Sequence, residues 1–144
     1  MKSDMKFLVV DDFASMRRMV KSVLTELGYS NVTEADDGST AFPLLRDGNF
    51  DFLITDWNMP GMPGLELLRA VRADPKLAKL PVLMLTAETN REQIIAAAQA
   101  RVDGYVIKPF TADVLKKKLL KILEAAASDA TGINRRTGEL PRTC

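Results

Sequence analysis

The chain has 144 residues, 47% of them hydrophobic and 27% charged, with a formal net charge of +1. These values are typical of one folded domain, and the balanced charge gives no reason to expect nucleic acid as a ligand. No apolar run approaches the roughly 18 to 20 residues that a membrane span needs, and the N-terminus lacks a secretory signal pattern, so we expect a cytoplasmic protein.

Two residue types restrict the possible chemistry. The chain contains no histidine, and its single cysteine is Cys144. Histidine-based acid–base catalysis, Ser-His-Asp triads, His-ligated zinc and a disulfide framework are therefore excluded. Any reaction must use carboxylates, Lys, Thr or Tyr.

Short apolar runs and longer segments with helical spacing alternate five times along the chain. The short runs predict strands over residues 5–10, 32–35, 50–56, 82–86 and 104–107. The helical spacing predicts helices over residues 13–27, 39–46, 65–73, 91–100 and 111–127. This alternation predicts an α/β fold with a doubly wound parallel sheet, helices on both faces and right-handed crossovers.

The C-terminal segment differs in composition from the rest of the chain. Residues 128–144 are small, polar or charged and include Gly132, Gly138 and Pro141. We therefore expect one domain over residues 1–127 and a flexible tail over 128–144. The residues of the last helix expected to point inward are Val114, Leu115, Leu119, Ile122 and Leu123.

Polar side chains stand where predicted strands end. They are Asp11, Asp12, Asp56, Thr86 and Lys108. Because the carboxyl ends of parallel strands lie on one edge of the sheet, these residues should meet there. Clustered carboxylates repel one another by about 4 kcal/mol per pair at roughly 4 Å and an effective dielectric near 20, so a divalent cation is implied. Oxygen ligands without His or Cys favour Mg²⁺.

Four of these residues also have a purely structural interpretation. The interpretations are a helix cap for Asp12, a strand end for Thr86, a solvated side chain for Lys108 and a turn for Asp56. We expect Met16, Met19 and Trp57 to pack in the core. The structural interpretations are independent of one another, and all would have to coincide at one edge of one sheet, so the joint pattern favours a functional site.

Phosphoryl transfer is the reaction that this combination of groups supports. A carboxylate can attack phosphorus, a metal can bridge the oxygens, and a lysine can pair with the remaining charge. Asp56 is the best candidate nucleophile because its strand is central, whereas Asp11 and Asp12 share one loop. Since the chain has no histidine, a phosphohistidine donor must be another protein.

The order of these motifs resembles the receiver domains of bacterial two-component response regulators, most closely their single-domain chemotaxis members. The resemblance covers about residues 6–123. It is carried by Phe7-Leu8-Val9-Val10-Asp11-Asp12-Phe13, Met16-Arg17-Arg18, Thr55-Asp56-Trp57-Asn58-Met59-Pro60, Thr86-Ala87-Glu88 and Gly104-Tyr105-Val106-Ile107-Lys108-Pro109-Phe110-Thr111. It implies a five-stranded sheet of order 2-1-3-4-5 with five helices. It also implies a phospho-acceptor that promotes its own phosphorylation and dephosphorylation rather than an ordinary enzyme.

The resemblance also implies roles for individual residues. Asp56 would be phosphorylated, and Mg²⁺ would be coordinated by Asp12, Asp56 and the backbone carbonyl of Asn58, with Asp11 reaching it through water. Lys108 would contact the phosphoryl group, and Thr86 would move to hydrogen-bond it. The remaining implied roles are dephosphorylation tuning for Asn58 and Glu88, an aromatic switch for Tyr105 and a cis peptide at Lys108–Pro109.

The implied partners are a histidine kinase of the chemotaxis type, the flagellar motor switch protein and a phosphatase, with the chain itself a monomer. No nucleic acid or membrane is implied. The output surface would carry Ile94, Tyr105, Ile107, Lys118 and Lys121. Its lysines suit an acidic partner, although charge alone is better explained by a solvated helix face.

Four alternative functions share parts of this pattern. The same chemistry would serve a phosphorelay shuttle or a regulator of a non-flagellar partner. A Mg²⁺-dependent aspartyl phosphohydrolase would need a second acid two residues after its nucleophile on the first strand, and Asp11-Asp12-Phe13-Ala14 lacks it. An FMN carrier is disfavoured because two acidic residues follow the first strand.

The chain departs from the family pattern at two turns. Pro63-Gly64 stands where Asp-Gly is common, and Arg101 stands where a small residue is usual. If the backbone at Arg101 requires a positive φ, arginine costs about 1 kcal/mol relative to glycine there.

Overall fold

The computed structural model describes residues 4–59, 61–87 and 91–130. Strands and helices alternate through these residues. The strands are β1 (Phe7–Val10), β2 (Val32–Ala35), β3 (Phe52–Asp56), β4 (Val82–Thr86) and β5 (Gly104–Ile107). The helices are α1 (Ala14–Glu26), α2 (Gly38–Asp47), α3 (Gly64–Ala73), α4 (Arg91–Gln99) and α5 (Ala112–Ala130). None of the described helices is long and apolar enough to cross a membrane.

All five strands pair in parallel in the order β2-β1-β3-β4-β5, which confirms the predicted topology. Val10 lies opposite Thr55, Asp56 opposite Leu85, and Thr86 opposite Ile107. The strands therefore end nearly level with one another. The residues that follow β1, β3, β4 and β5 converge on one edge of the sheet.

Alternate strand residues enter two separate hydrophobic layers. Leu8 and Val10 pack on the side covered by α2, α3 and α4, where Leu45, Leu67 and Ala97 lie. Phe7 and Val9 pack on the other side, which α1 and α5 cover with the buried residues Val20, Val23, Leu24, Leu115, Leu119, Ile122 and Leu123. Both faces of the sheet are thus buried, which explains why its central strands are apolar throughout.

Three strands, β2, β4 and β5, have the predicted bounds, whereas β1 and β3 begin two residues later than predicted. A local contact between residues 6 and 51 explains why both strands begin later. The Asp51 amide donates to the Lys6 carbonyl, and the Asp51 carboxylate accepts from the Lys6 amide at 2.8 Å. A side-chain hydrogen bond therefore replaces strand pairing at this end of the sheet.

Helix α5 differs from its prediction in two respects. Val114 was expected to point inward but is 44% exposed. It lies one residue, and so about 100° of helix rotation, from Leu115, which is in the buried stripe. The helix also continues to Ala130, which includes residues 128–130 of the predicted tail. The alanines of residues 125–127 favour this continuation. The rest of the predicted tail, residues 131–144, lies outside the described residues.

Two unusual backbone features agree with the sequence-based expectations. The Lys108–Pro109 peptide is cis, and Arg101 has a φ of 66°. The Arg72 guanidinium holds the Arg101 carbonyl through Nε at 3.1 Å and Nη2 at 2.8 Å. The turn between α4 and β5 is therefore fixed by the end of α3.

Candidate functional site

Three carboxylates meet where β1 and β3 end. Asp11, Asp12 and Asp56 each offer an oxygen, and these three oxygens lie within 4.8 Å of one another. Asp11 and Asp56 are only 1% and 4% exposed, whereas Asp12 is exposed. The cluster thus has two buried members and one member on its open side.

A single lysine bridges the two buried carboxylates. Lys108 Nζ lies 3.0 Å from Asp56 Oδ1 and 3.3 Å from Asp11 Oδ2. Backbone amides supply further donors: Trp57 N–H donates to Asp56 Oδ1, and Phe13 N–H donates to Asp11 Oδ1, both at 2.9 Å. These bonds offset part of the cost of burying charge.

The pKa values of two site residues reflect this environment. Burial raises the pKa of the Asp11 carboxyl above its ordinary value; the Phe13 amide opposes this rise, and the charge of Asp56 adds to it. Burial alone would lower the pKa of the Lys108 ammonium, but the hydrogen bond to Asp56 and the charges of Asp11 and Asp56 outweigh burial and raise it. Lysine is therefore held in its charged form between the two carboxylates.

The three carboxylates and Lys108 together carry a formal charge of −2. The donors are all hard oxygen atoms, and no described histidine or cysteine is available. This charge and donor set fit a hard divalent cation, with Mg²⁺ favoured by the small number of carboxylates. The buried acidic cluster can thus accommodate a metal ion.

The cluster opens into a cleft on the side of Asp12. This cleft has a volume of about 320 Å³ and is lined by Asp12, Asn58, Met59 and Pro63. The exposed Asn58 follows β3 by two residues. The predicted ligand segment at Asn58 therefore borders the open side of the cluster, where a water-bearing ion or a phosphoryl group could enter.

Thr86 and Lys108 are joined through their backbones. Thr86 is the last residue of β4 and is completely buried, and its carbonyl accepts from the Lys108 amide at 2.7 Å. The segment that carries the threonine is thus fixed to the segment that carries the lysine. Glu88, which was predicted to tune dephosphorylation, lies outside the described residues.

Two aromatic rings connect the site to the predicted output surface. Trp57 directly follows Asp56, is buried, and lies in the core as predicted. Its ring centroid is 6.4 Å from that of Tyr105, with an edge-to-face angle of 75°. Tyr105 is half-buried against the same core layer. The acceptor candidate and the predicted switch aromatic are therefore linked through one ring contact.

The structure does not support a capping role for Asp12. Helix α1 begins after Phe13, and no side chain caps it; the carboxylate that binds the Phe13 amide belongs to Asp11. Two contacts were missed at the sequence level. Arg17 donates to the Asp11 carbonyl at 2.6 Å, and a Cβ on Gly64 would clash with the Asp56 carbonyl. The Pro63-Gly64 pair was the only local signal of the second contact.

The geometry defines a doubly wound α/β domain with an acidic, lysine-bridged site at the strand ends. The family model of the response regulator receiver domain matches residues 7–120. The chain belongs to this family, whose members are signalling domains of two-component systems rather than ordinary enzymes.

Individual relatives agree with this assignment. The chain is 67% identical over 120 residues to the chemotaxis protein CheY of Pseudomonas aeruginosa, which covers 83% of this chain and 97% of that protein. It is 61% identical over 124 residues to the chemotaxis protein CheY-3 of Vibrio cholerae, which covers 86% of this chain and 95% of that protein.

Solved structures share the fold. The chemotaxis response regulator CheY4 of Vibrio cholerae matches with a TM-score of 0.76 at 38% identity, covering 83% of this chain and 98% of that one. The receiver domain of the Francisella response regulator 1452 matches with a TM-score of 0.76 at 30% identity, covering 85% and 99%.

Proposed function

We propose that this protein is a chemotaxis response regulator in which Asp56 accepts a phosphoryl group from a histidine kinase and the phosphorylated form binds the flagellar motor switch. The observation that carries the proposal is the 3.0 Å contact of Lys108 with Asp56 inside the three-carboxylate cluster. Its relatives named as chemotaxis proteins supply the biological setting.

In the proposed reaction, a carboxylate oxygen of Asp56 attacks the phosphorus of a phosphohistidine. The new O–P bond forms as the P–N bond breaks, and the leaving imidazole belongs to the kinase because this chain has no histidine. Lys108 keeps its positive charge and pairs with the phosphoryl oxygens. Thr86 donates a hydrogen bond to the phosphorylated product.

Four residues would hold the metal ion. They are Asp12, Asp56 and the Asn58 backbone carbonyl directly, and Asp11 through water. When bound, Mg²⁺ supplies positive charge against the carboxylates and the transferring phosphoryl group. The support for this assignment is the formal charge of −2 and the all-oxygen donor set. Asn58, beside the cleft, and Glu88 would adjust the rate of dephosphorylation.

Phosphorylation would act as a switch because it adds charge and acceptor oxygens at Asp56. Thr86 responds, and the half-buried Tyr105 turns inward against Trp57. Changing the ratio of active to inactive protein from 1:99 to 99:1 requires about 5.5 kcal/mol. One or two charge-assisted hydrogen bonds supply less than this. Phosphorylation therefore shifts the population in part, and partner binding completes the shift.

The proposed output surface lies on α4, β5 and α5. Ile94 and Ile107 are exposed apolar side chains, 36% and 44% accessible. A groove of about 580 Å³ between β5 and α5 is lined by residues that include Tyr105, Ile107 and Lys118. Together with Lys121, this surface offers apolar contacts and positive charge to an acidic helical segment of the motor switch.

A second candidate keeps the chemistry but changes the partner. The fold also occurs in a receiver domain of a histidine kinase from Syntrophus aciditrophicus, at a TM-score of 0.76 and 25% identity. A phosphorelay shuttle or the regulator of a non-flagellar complex would use the same acidic site with another partner. In both cases we propose a cytoplasmic monomer, with a phosphatase as a further partner.

The experiment that separates these candidates measures the affinity of a motor-switch peptide by fluorescence anisotropy. We expect tighter binding when the protein is treated with acetyl phosphate and Mg²⁺, and no such gain in Asp56→Asn. Equal affinity with and without acetyl phosphate, in a protein that mass spectrometry shows to be phosphorylated, would contradict the motor-switch proposal and favour the second candidate.

A further inference from the structure

The carboxylate of Asp12 differs in its surroundings from those of Asp11 and Asp56. The two buried carboxylates are held by backbone amides and Lys108. The exposed Asp12 carboxylate has no hydrogen-bond or ion-pair partner among the described residues. Its position before a cation arrives therefore depends on the backbone to which it is attached.

That backbone is fixed from two sides. The Asp11 amide donates to the Ala35 carbonyl at 3.1 Å, which extends the pairing of β1 with β2. The Asp11 carbonyl accepts from Arg17 Nη1 at 2.6 Å. This carbonyl and the Asp12 amide belong to the same peptide plane, so the bond from Arg17 sets the orientation of the plane from which Asp12 projects.

Arg17 is itself held in place by β2. Its Nε donates to Glu34 Oε1 at 2.8 Å, and the Arg17 side chain is only 18% exposed. The second carboxylate oxygen of Glu34 is 3.9 Å from Lys21 Nζ. Glu34 also neutralises the guanidinium, so Arg17 can hold the carbonyl without placing an uncompensated positive charge beside a cation site.

We propose that Arg17, held by Glu34, is a positioning residue for the Mg²⁺ site, acting through the Asp11–Asp12 peptide plane. The inference rests on the proposed function, because it concerns the same metal site. Partners of metal ligands typically contribute about 10-fold to 100-fold to metal affinity. Arginine suits this role because its rigid fork reaches two acceptors at once, which a lysine ammonium does not reproduce.

The test measures the Mg²⁺ dissociation constant of the full chain by isothermal titration calorimetry, with thermal denaturation followed in parallel. Arg17→Ala is compared with Arg18→Ala, which removes the same charge from an exposed neighbour that has no hydrogen bond or ion pair with the described residues. We expect Arg17→Ala to weaken Mg²⁺ binding by about 10-fold and Arg18→Ala by less than about twofold. Arg17→Lys should lie between them.

The outcomes separate positioning from simple stabilisation. If Arg17→Ala lowers the melting temperature but binds Mg²⁺ as tightly as Arg18→Ala, the positioning role is overturned while the metal site stands. If Arg17→Ala does not fold, the Mg²⁺ affinity of Arg17→Lys is compared with that of Arg18→Lys instead. Equal Mg²⁺ affinities in these two variants would overturn the positioning role. A wild-type protein that binds no Mg²⁺ would contradict the proposed function, and the inference would fail with it.

Discussion

Lys108 Nζ lies between two buried carboxylates, 3.0 Å from Asp56 Oδ1 and 3.3 Å from Asp11 Oδ2. This bridge explains how two acids that are almost fully buried coexist in one site before any ion binds. It also means that the lysine and a divalent cation neutralise the same carboxylates. If either the lysine or the divalent cation is removed, the carboxylates should therefore depend more strongly on the other for neutralisation.

Lys108→Met tests that competition. The substitution changes the formal charge of the cluster from −2 to −3, so we expect Mg²⁺ to bind more tightly although a site residue has been lost. Without Mg²⁺, we expect a loss of roughly 3 kcal/mol in the free energy of unfolding, since a partner of buried charges is removed. Calorimetry and urea denaturation measure the two effects.

Lys117→Met is the matched control for this experiment because Lys117 is exposed on α5 and has no ion-pair partner among the described residues. It should leave both quantities nearly unchanged. A Lys108→Met protein that binds Mg²⁺ more weakly than this control would show that the lysine assists the ion rather than competing with it.

Gly64→Ala should disturb the acceptor directly. A Cβ at Gly64 would overlap the Asp56 carbonyl and come within 3.0 Å of Met84 Sδ and the Trp57 Cα. The backbone that carries Asp56 would have to move. We expect a loss of roughly 2 to 3 kcal/mol in stability by urea denaturation, as for other overpacked sites.

Gly28→Ala provides the comparison for Gly64→Ala. Gly28 has a φ of 98°, but a Cβ there would meet nothing within 4 Å, so only backbone strain of about 1 kcal/mol is expected. The packing explanation fails if Gly64→Ala costs no more stability than Gly28→Ala.

Arg101→Gly should stabilise the protein. Arg101 has a φ of 66°, a conformation that costs a non-glycine residue about 1 kcal/mol. The two bonds from Arg72 go to the Arg101 carbonyl, which glycine retains. We expect a gain of up to about 1 kcal/mol by urea denaturation, reduced by the greater freedom of glycine in the unfolded chain. Arg69→Gly, at an exposed position within α3, should instead destabilise, and a loss in both variants would contradict the strain explanation.

Arg72→Met should lower the stability of the protein without changing Mg²⁺ binding at the acidic cluster. The Arg72 side chain is only 8% exposed, pairs with Asp103 at 2.8 Å and donates to the Leu80 and Arg101 carbonyls. Burial lowers the pKa of its guanidinium, and the Asp103 carboxylate opposes that change. We expect a loss of about 3 kcal/mol in stability, because buried acceptors lose their donor.

The Mg²⁺ affinity of folded Arg72→Met should nevertheless match the wild type. Asp103 lies just before β5, at the end of the strand opposite to Lys108, so the network stands at the other edge of the sheet from the acidic cluster. Calorimetry on the folded protein checks this expectation. A weakened Mg²⁺ affinity would mean that the two edges of the sheet are coupled.

The sequence predicted the alternation of strands and helices, the edge of the sheet on which the polar residues meet, and the packing of Trp57 in the core. These features follow from local periodicity and from the geometry of parallel sheets. It did not reveal that Arg17 reaches the Asp11 carbonyl, because that contact depends on how α1 and β2 approach the end of β1. Nor could it show that Gly64 packs against the Asp56 backbone.

Two misjudged features of α5 have equally physical reasons. Val114 is hydrophobic and close in sequence to the buried stripe, but its direction from the helix axis leaves it exposed. Composition marked a boundary at 127, whereas the alanine-rich run carries the helix on to Ala130. Hydrophobicity and composition alone do not determine the rotation or the last turn of a helix.

The central claim is that Asp56 is the phosphoryl acceptor. Its most direct test follows the emission of Trp57, the single tryptophan, while acetyl phosphate is added in the presence of Mg²⁺ to the wild type and to Asp56→Asn. Trp57 is suited to this because its amide bonds Asp56 Oδ1 and its ring contacts Tyr105. We expect an emission change in the wild type that is absent from Asp56→Asn. An equal response in both proteins would contradict the assignment of Asp56.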